Sequence, residues 1–419
     1  MLKVLINAYA CSPHMGSEPG MAWNWCIHLA KYCELHVITE GEFRDKIEAE
    51  LPKLPQAKNL HFYYNPVPER VREMCWNQGD WRFYKYYQDW QWKTYQIALG
   101  IVQQTPIGII HQLNMIGFRE PGYLWKIEQI PFVWGPIGGL KQFPIRYLTS
   151  GSLKIVMYFI LKNCLNILQV KYNKRIRLAF QSSSILVSSI PNSYVAIKKY
   201  IGKDSILIPE TGCYPSNSVP FDRFDKSDFN VLWVGKFDFR KQLHLALEAL
   251  ALSNNKRVIL NIFGTGNERT LMKYQKLCDN LGISEQVIWH GVKSNEIILS
   301  IMRSAQLLFF TSVSEDTSTV VLEALSNQLP VLCFDTCGFG AIIDEKVGIK
   351  ISLTNPSQSV HDFAQALNYL ESNRDILKEL SANCVARQRE LSWDNKALQM
   401  VNLYQECLSK TSSKSEEIA

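Results

Sequence analysis

Strand-length apolar runs alternate with amphipathic stretches of helical length twice along this chain, from Leu2 to about Ile190 and again from Asn230 to about Leu353. Leu2-Lys3-Val4-Leu5-Ile6-Asn7, Ile109 to Asn114, Phe132-Val133-Trp134, Val231 to Val234, Ile262-Phe263, Gln286 to Val292 and Ala305 to Phe310 read as buried strands. Helical patterns follow several of them, among them Met21 to Lys31, Leu243 to Leu250 and Thr319 to Asn327. Parallel strands need long crossovers, and helices in those crossovers cover both faces of the sheet. The alternation therefore predicts an α/β protein of two doubly wound, Rossmann-like domains facing a cleft. The first spans residues 1–208 and the second 230–392. Between them, in 209–229, the run Pro209 to Pro220 is dense in Pro, Gly, Ser and Asn and reads as a linker.

The densest chemistry lies in Glu315-Asp316-Thr317-Ser318-Thr319-Val320-Val321-Leu322-Glu323. A hydroxyl-rich turn here joins the carboxyl end of a strand to a helix, with Ser318 or Thr317 as the N-cap. Free backbone N–H groups at this helix start, together with the positive end of the helix dipole, suit a phosphate. Glu323 lies one turn beyond Thr319 on the same face, where its carboxylate can accept bonds from ribose hydroxyls. Glu315, in the loop, is placed to face a sugar.

Upstream, a strand ends in Gly235-Lys236, and Arg240-Lys241 precedes the next helical pattern. Fixed cations at a strand end stabilise the charge that develops on a departing nucleoside diphosphate. Gly264-Thr265-Gly266 ends the following strand, where glycine permits close backbone approach to a ligand; it matches neither a dinucleotide fingerprint nor a Walker loop. His290, at the end of the strand after that, is read equally as structural or functional. The loop Ala10 to Gly20 after the first strand can offer backbone donors at Gly16 and Ser17 to a phosphate.

The Glu-x7-Glu spacing of Glu315 and Glu323, followed by Leu329-Pro330-Val331, closely resembles the signature of the retaining family 4 glycosyltransferases, bacterial surface-polysaccharide type. The resemblance implies a GT-B fold, with Glu315 touching the donor sugar, Glu323 the ribose and the Ser318 to Val320 turn the diphosphate. It gives Lys236 and Lys241 the cationic role, although the family more often has Arg at the first position and lysine lacks the bidentate fork. It also sets Gly16 and Ser17 on the donor phosphates, and the strand ends carrying His111 and Gly138 on the acceptor or sugar side. The chain departs from the family in placing Gly-Pro-Ile-Gly-Gly after Trp134, where many members have a histidine. In that fold a C-terminal helix, here 393–409, packs back on the N-terminal domain, and the polar tail 410–419 frays.

At 419 residues, 47% hydrophobic and 20% charged, the chain is globular in composition. Its net charge of +6 is spread along the sequence with no nucleic-acid module, which argues against nucleic-acid partners. Eleven cysteines lack Cys-x-x-Cys pairing and read as reduced thiols in a cytoplasmic protein. Ala8-Tyr9-Ala10-Cys11 resembles a lipoprotein processing site, but the apolar run before it is short and lacks a basic leader, so a first strand is expected. No metal-ligand spacing is present, so the expectation is no metal and no cofactor, the nucleotide-sugar being a substrate. Cys75 to Trp92 and Leu153 to Leu178 interleave aromatic or apolar residues with cations, which suits either peripheral contact with an anionic membrane face or helices buried in the first domain. Only seven apolar residues run uninterrupted between Lys154 and Lys162, too few to span a bilayer.

The reading is a retaining glycosyltransferase that moves a sugar from a nucleotide-sugar donor to a glycan acceptor, lipid-linked, in surface polysaccharide synthesis. The alternatives are an epimerase or hydrolase of the same architecture, which needs no acceptor, and a non-catalytic sugar-nucleotide-binding subunit.

Overall fold

A computed structural model of the chain describes residues 1–77, 80–215, 219 and 221–416, the last six without their side chains. Among the described residues the first sheet has seven parallel strands: β1 (Leu2–Ala8), β2 (Cys33–Thr39), β3 (Leu60–Tyr64), β4 (Ile109–Asn114), β5 (Phe132–Ile137), β6 (Ile185–Ser188) and β7 (Ile206–Leu207), in the order β3-β2-β1-β4-β5-β6-β7. The second has six: β8 (Phe229–Val234), β9 (Val258–Phe263), β10 (Val287–Gly291), β11 (Leu307–Phe310), β12 (Val331–Phe334) and β13 (Gly348–Ile351), in the order β10-β9-β8-β11-β12-β13. Each sheet reverses its strand order once, between β1 and β4 and between β8 and β11. In open parallel sheets, ligands collect at the carboxyl ends of the strands beside that reversal. Helices cover both faces, and the inner strands β4, β5, β11 and β12 are accordingly buried along their whole length rather than on alternate residues.

Two compact units result, and neither is contiguous in sequence. The first comprises residues 1–141, 164–211 and 393–419; the second, 142–163 and 212–392. The segment 142–163, assigned by sequence to the N-terminal domain, joins the second unit's core through Phe143, which stacks on Phe159 at 4.1 Å and on Phe239 at 5.7 Å. Tyr147 and Ser359 share a buried 2.6 Å hydrogen bond there.

The expected linker 209–229 is only partly described, since residues 216–218 and 220 lie outside the described residues. Its later half is core rather than tether. Arg223 is 3% exposed and donates to the carbonyls of Met302, Arg303 and Gln328 and to Ser381 Oγ. Desolvation lowers its pKa to about 10.

The helix Trp393–Glu416 belongs to the first unit, where Trp393 packs edge-on against Trp25 at 5.8 Å and Asp394 accepts from Lys31. Lys396 Nζ donates to the Pro209 carbonyl at 2.8 Å. The helix continues through most of the expected frayed tail, to Glu416, and 417–419 lie outside the described residues. The first helix, Ser17–Leu29, starts four residues before the expected Met21. Pro19 falls in its first turn, where a missing N–H is harmless. Gly20 is there for packing: a Cβ at this position would lie 1.7 Å from the Met15 carbonyl oxygen.

Candidate functional site

The strongest constellation lies in the second unit, beside the reversal between β8 and β11. The two loops following these strands are laced together. Val313 N donates to the Arg240 carbonyl at 3.0 Å, Thr311 Oγ1 to the Lys241 carbonyl at 2.8 Å, and Trp233 Nε1 to Thr311 Oγ1 at 3.1 Å. This lacing brings the sequence-distant Lys241 and Glu315 side by side, with Nζ 2.6 Å from Oε1 and each side chain about one-seventh exposed. The Lys241 ammonium also lies 4.6 Å from the centroid of the Phe310 ring, a cation–π contact.

Arg240 is committed elsewhere. It binds both oxygens of Asp238, whose carboxylate also caps the short turn Phe239–Lys241 by accepting from Arg240 N. Burial raises the Asp238 pKa, but the Arg240 guanidinium outweighs it and holds the carboxyl below its ordinary range. Lys236 is exposed and makes no ion pair among the described residues. Of the three cations read from sequence, Lys241 is positioned by its surroundings, Lys236 is free, and Arg240 serves the turn.

The helix after β11 runs Thr319–Ser326 with Ser318 at the N-cap position, 4% exposed and making no side-chain cap bond. Thr319 is exposed and Val320 half-buried. The N–H groups of a first helical turn have no intrahelical acceptor, so they are available to an anion. Glu323 accepts from Asn295 Nδ2 at 3.1 Å, and burial raises its carboxyl above the ordinary range.

Sequence reasoning missed the floor of this turn. Cys337, with φ +57°, accepts from Glu315 N through its Sγ at 3.3 Å. The next residue, Gly338, has no room for a side chain: a Cβ would lie 2.7 Å from Thr317 Oγ1 and 3.0 Å from the Asp316 carbonyl. The Cys-Gly pair at the start of the helix Cys337–Ile342 thus holds the Glu315 to Ser318 turn from beneath. A positive-φ residue before a glycine is no sequence motif.

The Gly264 to Gly266 turn packs closely on its own chain, and the surroundings of His290 favour the structural of its two readings. At Gly264, φ +142°, a Cβ would sit 1.8 Å from the Gly235 carbonyl, and at Gly266 one would sit 2.8 Å from Phe237 Cβ. The close approach expected of a ligand is therefore made by the chain itself, where Phe237 N donates to the Thr265 carbonyl at 2.8 Å. His290 stacks on Phe263 at 4.1 Å with its Nε2 2.9 Å from Asn261 Oδ1, a packing role.

In the first unit, Gly16 and Ser17 are exposed at the start of the first helix, and Ser17 has φ +55°. Glu18 Oε1 accepts from Ile116 N at 3.2 Å, tying that helix start to the loop after β4. Gly138, proposed by resemblance for the acceptor side, is buried; its N–H donates to the Ile116 carbonyl at 2.8 Å and its carbonyl accepts from Phe118 N at 3.3 Å. Both of its polar groups are spent on the β4–β5 connection.

His111 is not at a strand end. It is fully buried within β4, with Nε2 2.6 Å from the Gly135 carbonyl and Nδ1 2.6 Å from Tyr404 Oη on the C-terminal helix. A carbonyl only accepts, so Nε2 carries the proton and Nδ1 accepts from the tyrosine. Both nitrogens are occupied and the ring keys the helix to the sheet. Burial lowers its pKa from 6.5 to about 4. Between those values the unfolded chain takes up a proton that the folded ring refuses, so stability is full above pH 6.5 and falls as pH drops, by roughly 3 kcal/mol for this ring. Replacing His111 with Gln should remove that term. The melting-temperature advantage of the wild type over His111→Gln is then expected to shrink from pH 7 to pH 5, and a constant difference would count against it.

The two parallel-sheet, Rossmann-like units define the GT-B fold. Residues 219–390 match the family described as "Glycosyl transferases group 1". Among curated proteins, the chain is 26% identical over 176 residues to an uncharacterized glycosyltransferase of Methanocaldococcus jannaschii, covering 42% of this chain and 44% of that protein. It is 30% identical over 134 residues to the D-inositol 3-phosphate glycosyltransferase of Nocardia farcinica, covering 32% and 29%. The chain thus spans less than half the length of these relatives. Among solved structures it resembles the Anabaena protein HepE in complex with UDP, with a TM-score of 0.61, 14% identity, and 97% and 100% of the two chains covered.

Proposed function

We propose that the chain is a retaining, family 4-type glycosyltransferase that moves a sugar from a nucleoside-diphosphate sugar to a lipid-linked glycan acceptor, in the synthesis of a surface polysaccharide, at the cytoplasmic face of a membrane. The observation that carries the reading is the Lys241–Glu315 pair, set beside the open N-terminus of the Thr319–Ser326 helix with Glu323 on that same helix. The diphosphate lies on the helix N–H groups, with Lys236 and Lys241 as cations, and Glu323 accepts from ribose. Glu315 orients the sugar, and its pairing with Lys241 disfavours a nucleophilic role. Retention then follows from front-face displacement. The acceptor oxygen bonds to the anomeric carbon as its bond to the phosphate oxygen breaks, and the acceptor proton passes to that phosphate oxygen. The side-chain cations and helix dipole supply the positive charge this step needs, so no resident metal enters the proposed mechanism.

The membrane part rests on the helix Leu153–Tyr172. Leu153, Met157, Leu161, Leu165, Leu168 and Tyr172, at three- and four-residue spacing, are all at least 44% exposed. Lys154, Lys162 and Lys171 flank this stripe in solvent. Phe159, Asn163, Asn166 and Val170 form the opposite, buried face. With mean hydropathy 1.4 over 18 residues, the helix is long and apolar enough to cross a bilayer, contrary to the estimate from its uninterrupted run. Its buried asparagines are bound to backbone, Asn163 to Phe143 N and O at 2.9 Å each, which favours lying on the membrane instead. In the other aromatic segment, Phe83, Tyr87 and Trp90 are core around Tyr9, while Trp76, Trp81, Tyr84 and Trp92 are exposed. Co-sedimentation with vesicles of acidic phospholipid is expected for the wild type and should fall severalfold in Met157→Glu/Leu161→Glu. Equal binding to vesicles of neutral lipid would remove the role given to the lysines.

The test of the function is to supply a panel of nucleotide-sugars with and without extracted lipid-linked glycans. Acceptor-dependent release of nucleotide, with the product anomer matching the donor, is expected. Consumption without acceptor would favour an epimerase or hydrolase, and binding without consumption a non-catalytic subunit.

A further inference from the structure

We infer a second, metal-binding site in the first unit, formed by Glu34, His36 and His61 and fitted to a borderline divalent transition ion such as Zn²⁺. Strand register builds it: His36 on β2 pairs with His61 on the edge strand β3, and Glu34 precedes His36 by two residues on the same face. The ligand atoms all lie within 4.8 Å of one another. Glu34 Oε1 is 3.4 Å from His36 Nε2 and 3.4 Å from His61 Nε2. Tetrahedral zinc with bonds of about 2.0–2.1 Å sets its ligands roughly 3.3 Å apart, so two edges of the tetrahedron are already formed.

The second observation is His36 itself. It is 5% exposed, and among the described residues its Nε2 makes no well-formed hydrogen bond, the Glu34 carboxylate standing off at 3.4 Å. A buried ring nitrogen without a partner is destabilising unless something occupies it. Its other nitrogen, Nδ1, is 3.0 Å from Tyr63 Oη. With Nδ1–H donating to that oxygen, Nε2 presents its lone pair, the outer-sphere arrangement typical of a metal-bound histidine. The His61 ring stacks on His36 at 4.9 Å and is exposed enough to rotate, which closes the third edge. The fourth position is left to water. Two imidazoles and one carboxylate select Zn²⁺, Co²⁺ or Ni²⁺ over Mg²⁺ or Ca²⁺.

Lys3 Nζ is the resident competitor, 3.1 Å from Glu34 Oε1. It is about one-third exposed and long enough to move aside. Lys3, Glu34 and His61 are each the second residue of their strands and His36 the middle residue of β2, away from the loops that follow the carboxyl ends of β1 and β4. The ion would clamp the edge strand β3 to β2, a structural site independent of the transfer proposed above.

Cobalt titration of the chelator-treated full chain tests this, in a Cys164→Ser background because that thiol is exposed. One Co²⁺ per chain should bind with the visible absorption of tetrahedral cobalt and no thiolate charge-transfer band, and Zn²⁺ but not Mg²⁺ should displace it. His61→Ala, a change at an exposed position, should weaken binding more than about 100-fold. Lys3→Met should tighten it several-fold by removing the competing charge. Binding that survives His61→Ala, or no binding at micromolar cobalt in either the parent or Lys3→Met, would overturn the site.

Discussion

Replacing Lys241 with alanine is expected to lower turnover by about 10²–10³-fold, the usual consequence of removing one preorganised charge from a group-transfer site. The ammonium is held by Glu315 at 2.6 Å and by the Phe310 ring, and its backbone carbonyl is fixed by Thr311. It therefore needs no rearrangement when charge develops on the leaving phosphate. Alanine also strands the Glu315 carboxylate, which is only 16% exposed, and should destabilise the second unit by roughly 1–3 kcal/mol. The two effects separate in Lys241→Met/Glu315→Gln. There the unpaired charge is gone, so thermal stability should recover while turnover stays low. Recovery of turnover with stability would mean that the pair is structural only.

Glu323→Gln is expected to act in opposite directions on stability and on binding. Burial raises the Glu323 carboxyl pKa, so the charged form is disfavoured in the free protein. The folded chain holds its proton to higher pH than the unfolded chain, and stability from this group rises as pH falls through that window. Gln removes the charge while keeping the shape, and the nucleotide-free variant should melt at or above the wild-type temperature at pH 7. The same change deprives a ribose of a charged acceptor, worth about 1.5–3 kcal/mol, and should weaken nucleotide binding about 10- to 100-fold. A variant both less stable and unaltered in nucleotide affinity would assign Glu323 to packing. Such an exchange of stability for function is common where a binding group is held in an unfavourable environment.

How far the sequence could be read depended on whether the relevant partner was near in the chain. Apolar runs mark the main strands well, because a strand buried on both faces is mostly apolar. The Ser318 to Glu323 helix start was legible because cap, helix and carboxylate are consecutive. The helix beginning at Ser17 reads from sequence as starting later, since Pro19 and Gly20 look like breakers and only the nearby Met15 carbonyl explains the glycine. His111 looks like a site residue in the sequence because its partners, Gly135 and Tyr404, are distant along the chain. Arg223 lies just past the breaker-rich run in the expected linker, although its four acceptors make it core. Cys337 and Gly338 support the Glu315 turn through backbone geometry that no residue pattern encodes.

The central claim is that the second unit's Lys241, Glu315 and Glu323 constellation holds a nucleoside diphosphate. Thermal unfolding of the full chain with UDP, GDP and ADP in turn addresses it most directly, because a ligand bound only by the native state at about 100 times its dissociation constant stabilises by ~2.7 kcal/mol. One of the three nucleotides is expected to raise the melting temperature of the wild type and to lose most of that effect in Glu323→Gln and Lys241→Met/Glu315→Gln. No rise with any of them, or an equal rise in all three proteins, would contradict the assignment.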